Sequence, residues 1–129
     1  MAVELIKNGD FSDGGTYWLM LGWTAQNSRA EYTAGGSDLS QSILTAGHTY
    51  KLVFDYSVSQ GRVYYRLGTN NDGYLDIGSG TETYVGVANG PNLIFAQSNL
   101  AIGDWIDNVS VTEVSRGRRK SLSTMLRRR

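Results

Sequence analysis

Strict alternation over residues 50–67, YKLVFDYSVSQGRVYYRL, leaves this chain few folds to choose from. Tyr50, Leu52, Phe54, Tyr56 and Val58 are apolar, while Lys51, Asp55 and Ser57 between them are polar; Val53 is the one apolar residue on the polar side. A period of two belongs to a strand with one buried face, because successive side chains leave a pleated backbone on opposite sides. After a Ser59-Gln60-Gly61 turn, Val63, Tyr65 and Leu67 continue the apolar set and Arg62, Tyr64 and Arg66 point the other way. The stretch predicts a hairpin with one core face and one outer face, the latter carrying Lys51, Asp55, Arg62, Tyr64 and Arg66. That outer face is the first candidate for binding, set against the plainer reading of a solvated sheet face.

The remaining segments have the same character. Residues 4–7 predict a short first strand closed by Asn8-Gly9, with Phe11 pinned inward from the following loop. Residues 22–24, 29–33, 39–44, 74–77, 81–87 and 92–97 are further strand candidates, and residues 17–21 are an apolar cluster too short to assign. Gly78-Ser79-Gly80 and Asn89-Gly90-Pro91 read as separators. In the last strand, residues 103–111, Ile106 falls out of phase with Val109 and Val111. A bulge at Asp107-Asn108 would let all three face inward. Many short strands, glycine-rich turns and no helical period predict an all-β sandwich or barrel over residues 1–114.

The chain of 129 residues is long enough for one domain with a proper core. It has no cysteine, which excludes disulfides, thiolate metal sites and a cysteine nucleophile. No apolar run approaches a membrane span. The N-terminal MAVELIKNGDF lacks a basic segment followed by an apolar one, so no secretory signal is expected and synthesis in a cytoplasm is. The formal net charge of zero hides a split. Residues 1–114 hold five Lys or Arg and all twelve Asp and Glu, a balance of −7; residues 115–129 hold seven Lys or Arg and no acid, a balance of +7. The expected organisation is therefore a sandwich domain, 1–114, with a basic C-terminal extension, 115–129.

Four segments read together carry a resemblance: residues 5–11 (LIKNGDF), Gly22-Trp23, residues 46–52 (AGHTYKL) and residues 105–111 (WIDNVSV). Over about residues 4–114 the chain resembles the carbohydrate-binding modules of families 4, 9 and 22, which are galactose-binding-like jelly rolls and are found also in tailed-phage virion proteins. The resemblance implies a jelly-roll β-sandwich of two antiparallel sheets. It also implies a non-catalytic module that holds sugars by aromatic stacking and hydrogen bonds. Such modules often carry a structural calcium near the closing "DN", which Asp107 matches here. The acidic position after the opening Phe is Ser12 in this chain, and Asp13 follows it. Asp10, Asp13 and Asp107 are thus the candidate ligands.

Little here suggests catalysis. His48 is the only histidine and no G-x-S-x-G motif is present. Sugar binding needs flat apolar faces beside planar polar groups, and Arg62, Tyr64 and Arg66 offer both. Trp18, in a glycine-flanked loop, is expected to be the exposed tryptophan and to join them, with Trp23, Tyr32, Tyr74 and Tyr84 as further cleft candidates. Trp23 and Trp105 are expected in the core. In the tail, Leu122, Met125 and Leu126 fall at helical spacing among Arg116, Arg118, Arg119, Lys120, Arg127, Arg128 and Arg129. This predicts a docking segment for a protein partner first, nucleic acid second and a membrane surface third. The combined expectation is an accessory protein of a larger assembly, such as a phage virion surface or head decoration protein joined to a capsid component. A stand-alone carbohydrate-binding module is the alternative.

Overall fold

The computed structural model describes residues 3–33 and 38–114. Ten strands follow in chain order: β1 (Leu19–Met20), β2 (Trp23–Gln26), β3 (Arg29–Tyr32), β4 (Asp38–Ser42), β5 (Thr49–Val58), β6 (Arg62–Leu67), β7 (Gly73–Leu75), β8 (Gly78–Val87), β9 (Asn92–Ser98) and β10 (Trp105–Glu113). They form two five-stranded antiparallel sheets, ordered β1-β4-β9-β6-β7 and β2-β3-β10-β5-β8. The two sheets pack as a jelly-roll sandwich. The alternation of β5 and β6 puts Leu52, Phe54, Val63, Tyr65 and Leu67 in the core between them.

The predicted hairpin does not form. Strand β5 pairs with β8 and β10, and β6 pairs with β7 and β9, so the two belong to opposite sheets. Residues 59–61 cross the sandwich instead of turning back on it. The buried carboxylate of Asp104 holds the crossing, accepting the Ser59 N–H at 3.0 Å and its hydroxyl at 2.8 Å. Gly61 completes it with φ +77°, where a Cβ would stand 2.2 Å from the Ser98 carbonyl oxygen. Period-two patterning assigns each side chain to inside or outside but is silent on which strand lies alongside. Two apolar faces in sequence can meet across a sandwich as well as side by side. Here they meet across it, with the Phe54 and Tyr65 rings 5.6 Å apart and edge to face.

The closing strand behaves as its phase slip predicts. Pairing of β10 with β5 shifts between Asp107 and Ser110, Asn108 takes φ +48°, and Ile106, Val109 and Val111 are all buried. The bulge also receives the N-terminal segment. Val109 N–H donates to the Gly9 carbonyl at 2.9 Å, and a Cβ on Gly9 would lie 2.1 Å from the Val109 oxygen. Residues 4–7 are not a full strand: a single bridge joins Glu4 to Thr112. The Glu4 carboxylate adds to the attachment, accepting from the Val111 N–H at 2.8 Å and the Ser110 hydroxyl at 2.5 Å, and the Leu5 N–H donates to the Val111 carbonyl at 2.9 Å. Gly78, Ser79 and Gly80 are no separator, because β5 runs on to Val58 and draws them into β8. The basic tail, where a docking segment and a short helix are expected, lies outside the described residues.

Candidate functional site

Residues paired directly across an antiparallel ladder share a face. Tyr64 of β6 pairs with Tyr74 of β7 and with Ala96 of β9, while Arg62 pairs with Ser98 and Arg66 with Ile94. Ser40 of β4 lies beyond Ile94 on the same face. The outer face of this sheet therefore carries Ser40, Ile94, Ala96 and Ser98, with Asp38 opposite Ala96, beside two tyrosines and two arginines. The rings of Tyr64 and Tyr74 are 6.2 Å apart and edge to face. The Arg62 guanidinium lies 4.0 Å from the Tyr74 ring centroid and 5.9 Å from that of Tyr64, and its Nε donates to Asp76 at 2.7 Å. That bond, followed by the one to Tyr64, holds the guanidinium above its ordinary pKa, so it stays charged at any working pH. Arg66 Nε donates to Asn71 Oδ1 at 2.6 Å. Tyr74 is 52% exposed, large for an aromatic side chain.

Arg62, Tyr64 and Arg66 thus come together as expected, but without Lys51 and Asp55, which sit on the outer face of the opposite sheet. Two other placements differ from expectation. Trp18 is not exposed: its indole N–H donates to the Asn8 carbonyl at 2.9 Å and its ring packs 5.1 Å from Phe11. A bulky ring in a glycine-flanked loop buries itself when a neighbouring aromatic and a carbonyl acceptor are within reach. Trp105 is half-buried on the outer face of β10 rather than in the core, with the Arg29 guanidinium 4.8 Å over its ring. Trp23 and Tyr32 are buried against each other. Tyr84 faces the interior and contacts Tyr65. Of the further cleft candidates, only Tyr74 joins Tyr64. Asn71 and Asp76, which hold the two arginines, are marked in the sequence only as polar residues flanking a tyrosine.

Beside Trp105, Glu31 is buried and accepts from Gln26 at 2.6 Å, Asn27 at 3.0 Å and Arg29 at 2.9 Å. The Asn27 bond, with those of Arg29 and Gln26, holds its carboxyl below the ordinary range against the opposing effect of burial. This second cation-on-aromatic pair is therefore already neutralised by a buried carboxylate.

Asp10 and Asp13 line a cavity of about 580 Å³ together with Glu4, Asn8, Tyr17 and Asn108. Asp107 lies opposite Asp55 on the ladder between β10 and β5. Among the described residues no three His, Asp or Glu side chains converge to hold a metal ion. Partial burial, with the nearby charges of Asp55 and Asp10, raises the Asp107 pKa. A carboxyl raised on folding is disfavoured in its charged form, so the native state is penalised above the folded pKa and relieved as pH falls through it. Asp107→Asn keeps an acceptor for the Asn108 N–H (2.8 Å) and removes the charge. It is expected to raise Tm at pH 7, with the gain vanishing below the ordinary carboxylate range; thermal melts across pH check this.

No family model and no curated protein matches the sequence. Solved structures do match in shape. A family 4 carbohydrate-binding module superposes with TM-score 0.57 at 15% identity, covering 84% of this chain and 99% of that one. A cleaved adhesin domain of Lys-gingipain from Porphyromonas gingivalis gives 0.57 at 13% identity, covering 87% and 99%. The enzymatically active domain of tailspike protein 4 from bacteriophage CBA120 gives 0.58 at 14% identity, covering 87% of this chain but 22% of that one. The chain has the jelly-roll fold of carbohydrate-binding modules.

Proposed function

We propose that this protein is a non-catalytic glycan-binding module whose site is the β6–β7 face. The carrying observation is the layer formed by Tyr64, Tyr74 and Arg62, with the guanidinium 4.0 Å from an exposed tyrosine ring. Sugars present C–H faces that settle on aromatic rings and hydroxyls that take hydrogen bonds from fixed planar donors. Arg62 is fixed by Asp76, and Arg66 by Asn71. Ser40, Ile94 and Ser98 extend the same face beside them. A glycan array with the full chain tests the reading, run beside the Tyr74→Ala variant. Binding lost in the variant supports it; unchanged binding places the ligand elsewhere, and no binding to any glycan overturns it.

A second, wider reading concerns the setting: the module is a surface component of a larger assembly, such as a phage virion, fixed to a protein partner through residues 115–129. It rests on the charge split, −7 against +7, and on the likeness to a domain of a phage tailspike. Deleting residues 115–129 is expected to abolish incorporation into the parent particle and leave glycan affinity unchanged. Particles that still carry the shortened chain would argue for a stand-alone module.

A further inference from the structure

We propose that two copies of this chain pair through the edge of β8 that is open among the described residues, joining their sheets into one. An edge strand presents unpaired N–H and C=O groups, and proteins guard such edges with short strands, lysine, proline or bulges. Three of the four edges here are short: β1 has 2 residues, β7 has 3 and β2 has 4. The fourth, β8, has 10. Its pairing with β5 runs without a bulge from Thr49↔Val87 to Val58↔Gly78. Its sequence, GSGTETYVGV, contains no Lys, Arg or Pro and one charge, Glu82. Val85 and Val87 on its outer face are each 54% exposed, and Ile77 just before it is 71% exposed. It is a long, unbulged and nearly uncharged edge with apolar residues open to water.

The composition favours a second copy as the occupant. Two identical strands paired antiparallel are related by a two-fold axis normal to the sheet. That axis keeps each side chain on its own face, so one residue must stand opposite itself. The two longest overlaps each omit one end residue and place either Glu82 or Thr83 on the axis. Glu82 faces the interior, where it accepts the Tyr65 hydroxyl at 2.6 Å, and setting two such carboxylates opposite each other is unfavourable. With Thr83 on the axis, Glu82 stands opposite Tyr84, Thr81 opposite Val85 and Ser79 opposite Val87. The exposed valines then gain cross-strand neighbours, and Val87 reaches the Ile77 end of the other copy.

The chain's own tail is the competing occupant, since Val114 leaves the fold beside Thr49, the partner of Val87. Seven cations and no acid in residues 115–129 are a poor match for an edge with a single carboxylate. The zero net charge of the full chain leaves two copies without long-range repulsion.

The test uses the full chain, which has no cysteine. Sedimentation from about 10 to about 200 µM is expected to show a dimer, in keeping with a small interface. Thr83→Lys sets two ammonium groups opposite each other and is expected to weaken the dimer about tenfold or more, with the Tm of the dilute monomer unchanged because Thr83 is exposed. Thr83→Cys is expected to form an intermolecular disulfide on mild oxidation. Thr81→Cys and Val85→Cys should cross-link with each other when mixed and poorly alone. A monomer at every concentration overturns the proposal, as does a dimer that ignores Thr83→Lys. A dimer seen only after deleting residues 115–129 means the tail covers the edge, and likewise overturns it for the full chain.

Discussion

Phe54→Ala is expected to cost about 3–5 kcal/mol of folding stability, the range for emptying a buried aromatic site. Phe54 has no exposed surface and belongs to β5, the strand between β8 and β10. Its ring stands 4.8 Å from Phe95 and 5.6 Å from Tyr65, both edge to face and both from the opposite sheet. The alanine variant removes the ring through which the two sheets meet, and its neighbours cannot all close into the space. Strands β5 and β10 would remain paired, because their hydrogen bonds need no side chain. The measurement is denaturant unfolding, with the midpoint lowered and the slope retained. A loss under about 1 kcal/mol would contradict the packing of these rings across the sandwich.

The largest functional effect is expected at the outer face. Tyr74→Ala removes the ring that the Arg62 guanidinium lies against, so it takes away both a stacking surface and the support of a hydrogen-bond donor. Central aromatic anchors carry about 2 kcal/mol or more of binding free energy, so glycan affinity is expected to fall about 30-fold or more. Tyr64→Ala should act similarly, since its ring faces both Tyr74 and Arg62. Tyr74→Phe keeps the ring and should retain most of the affinity. None of these changes should move Tm by much, because Tyr74 is open to water and a cross-strand pair is worth about 1 kcal/mol at most. Titration calorimetry with the best ligand from the array reads the binding side, and thermal melts read the other. Trp18→Ala supplies the contrast: it removes a buried ring and a hydrogen bond to Asn8, so it should lower Tm and spare the binding face.

That contrast shows how the candidate site divides between what could be read in the chain and what could not. Arg62, Tyr64 and Arg66 were readable as one outward set because alternation along a single strand is a local property. Tyr74 could be seen only as a tyrosine near a turn. Its place beside Tyr64 comes from the β6–β7 register, and Asp76 reaches Arg62 through the same pairing. Trp18 looked exposed because glycines surround it, yet Phe11 and the Asn8 carbonyl capture it. Trp105 looked buried because it opens an apolar strand, yet it lies outside the bulge beneath Arg29.

For the fold, the sequence by itself determined that the described residues are all-β, where most strands lie, which residues of β5, β6 and β10 after Trp105 face inward, and that the last strand bulges. Each of these follows from side-chain periodicity or turn chemistry within a few residues. Only the tertiary structure decided that β5 and β6 belong to different sheets. With them it separated Lys51 and Asp55 from Arg62, Tyr64 and Arg66. The physical reason is that an inward face demands apolar partners without specifying whether they come from the next strand or from the opposite sheet. Here the choice was made by distant groups: Asp104 accepting from Ser59, and Ser98 leaving room at residue 61 only for glycine.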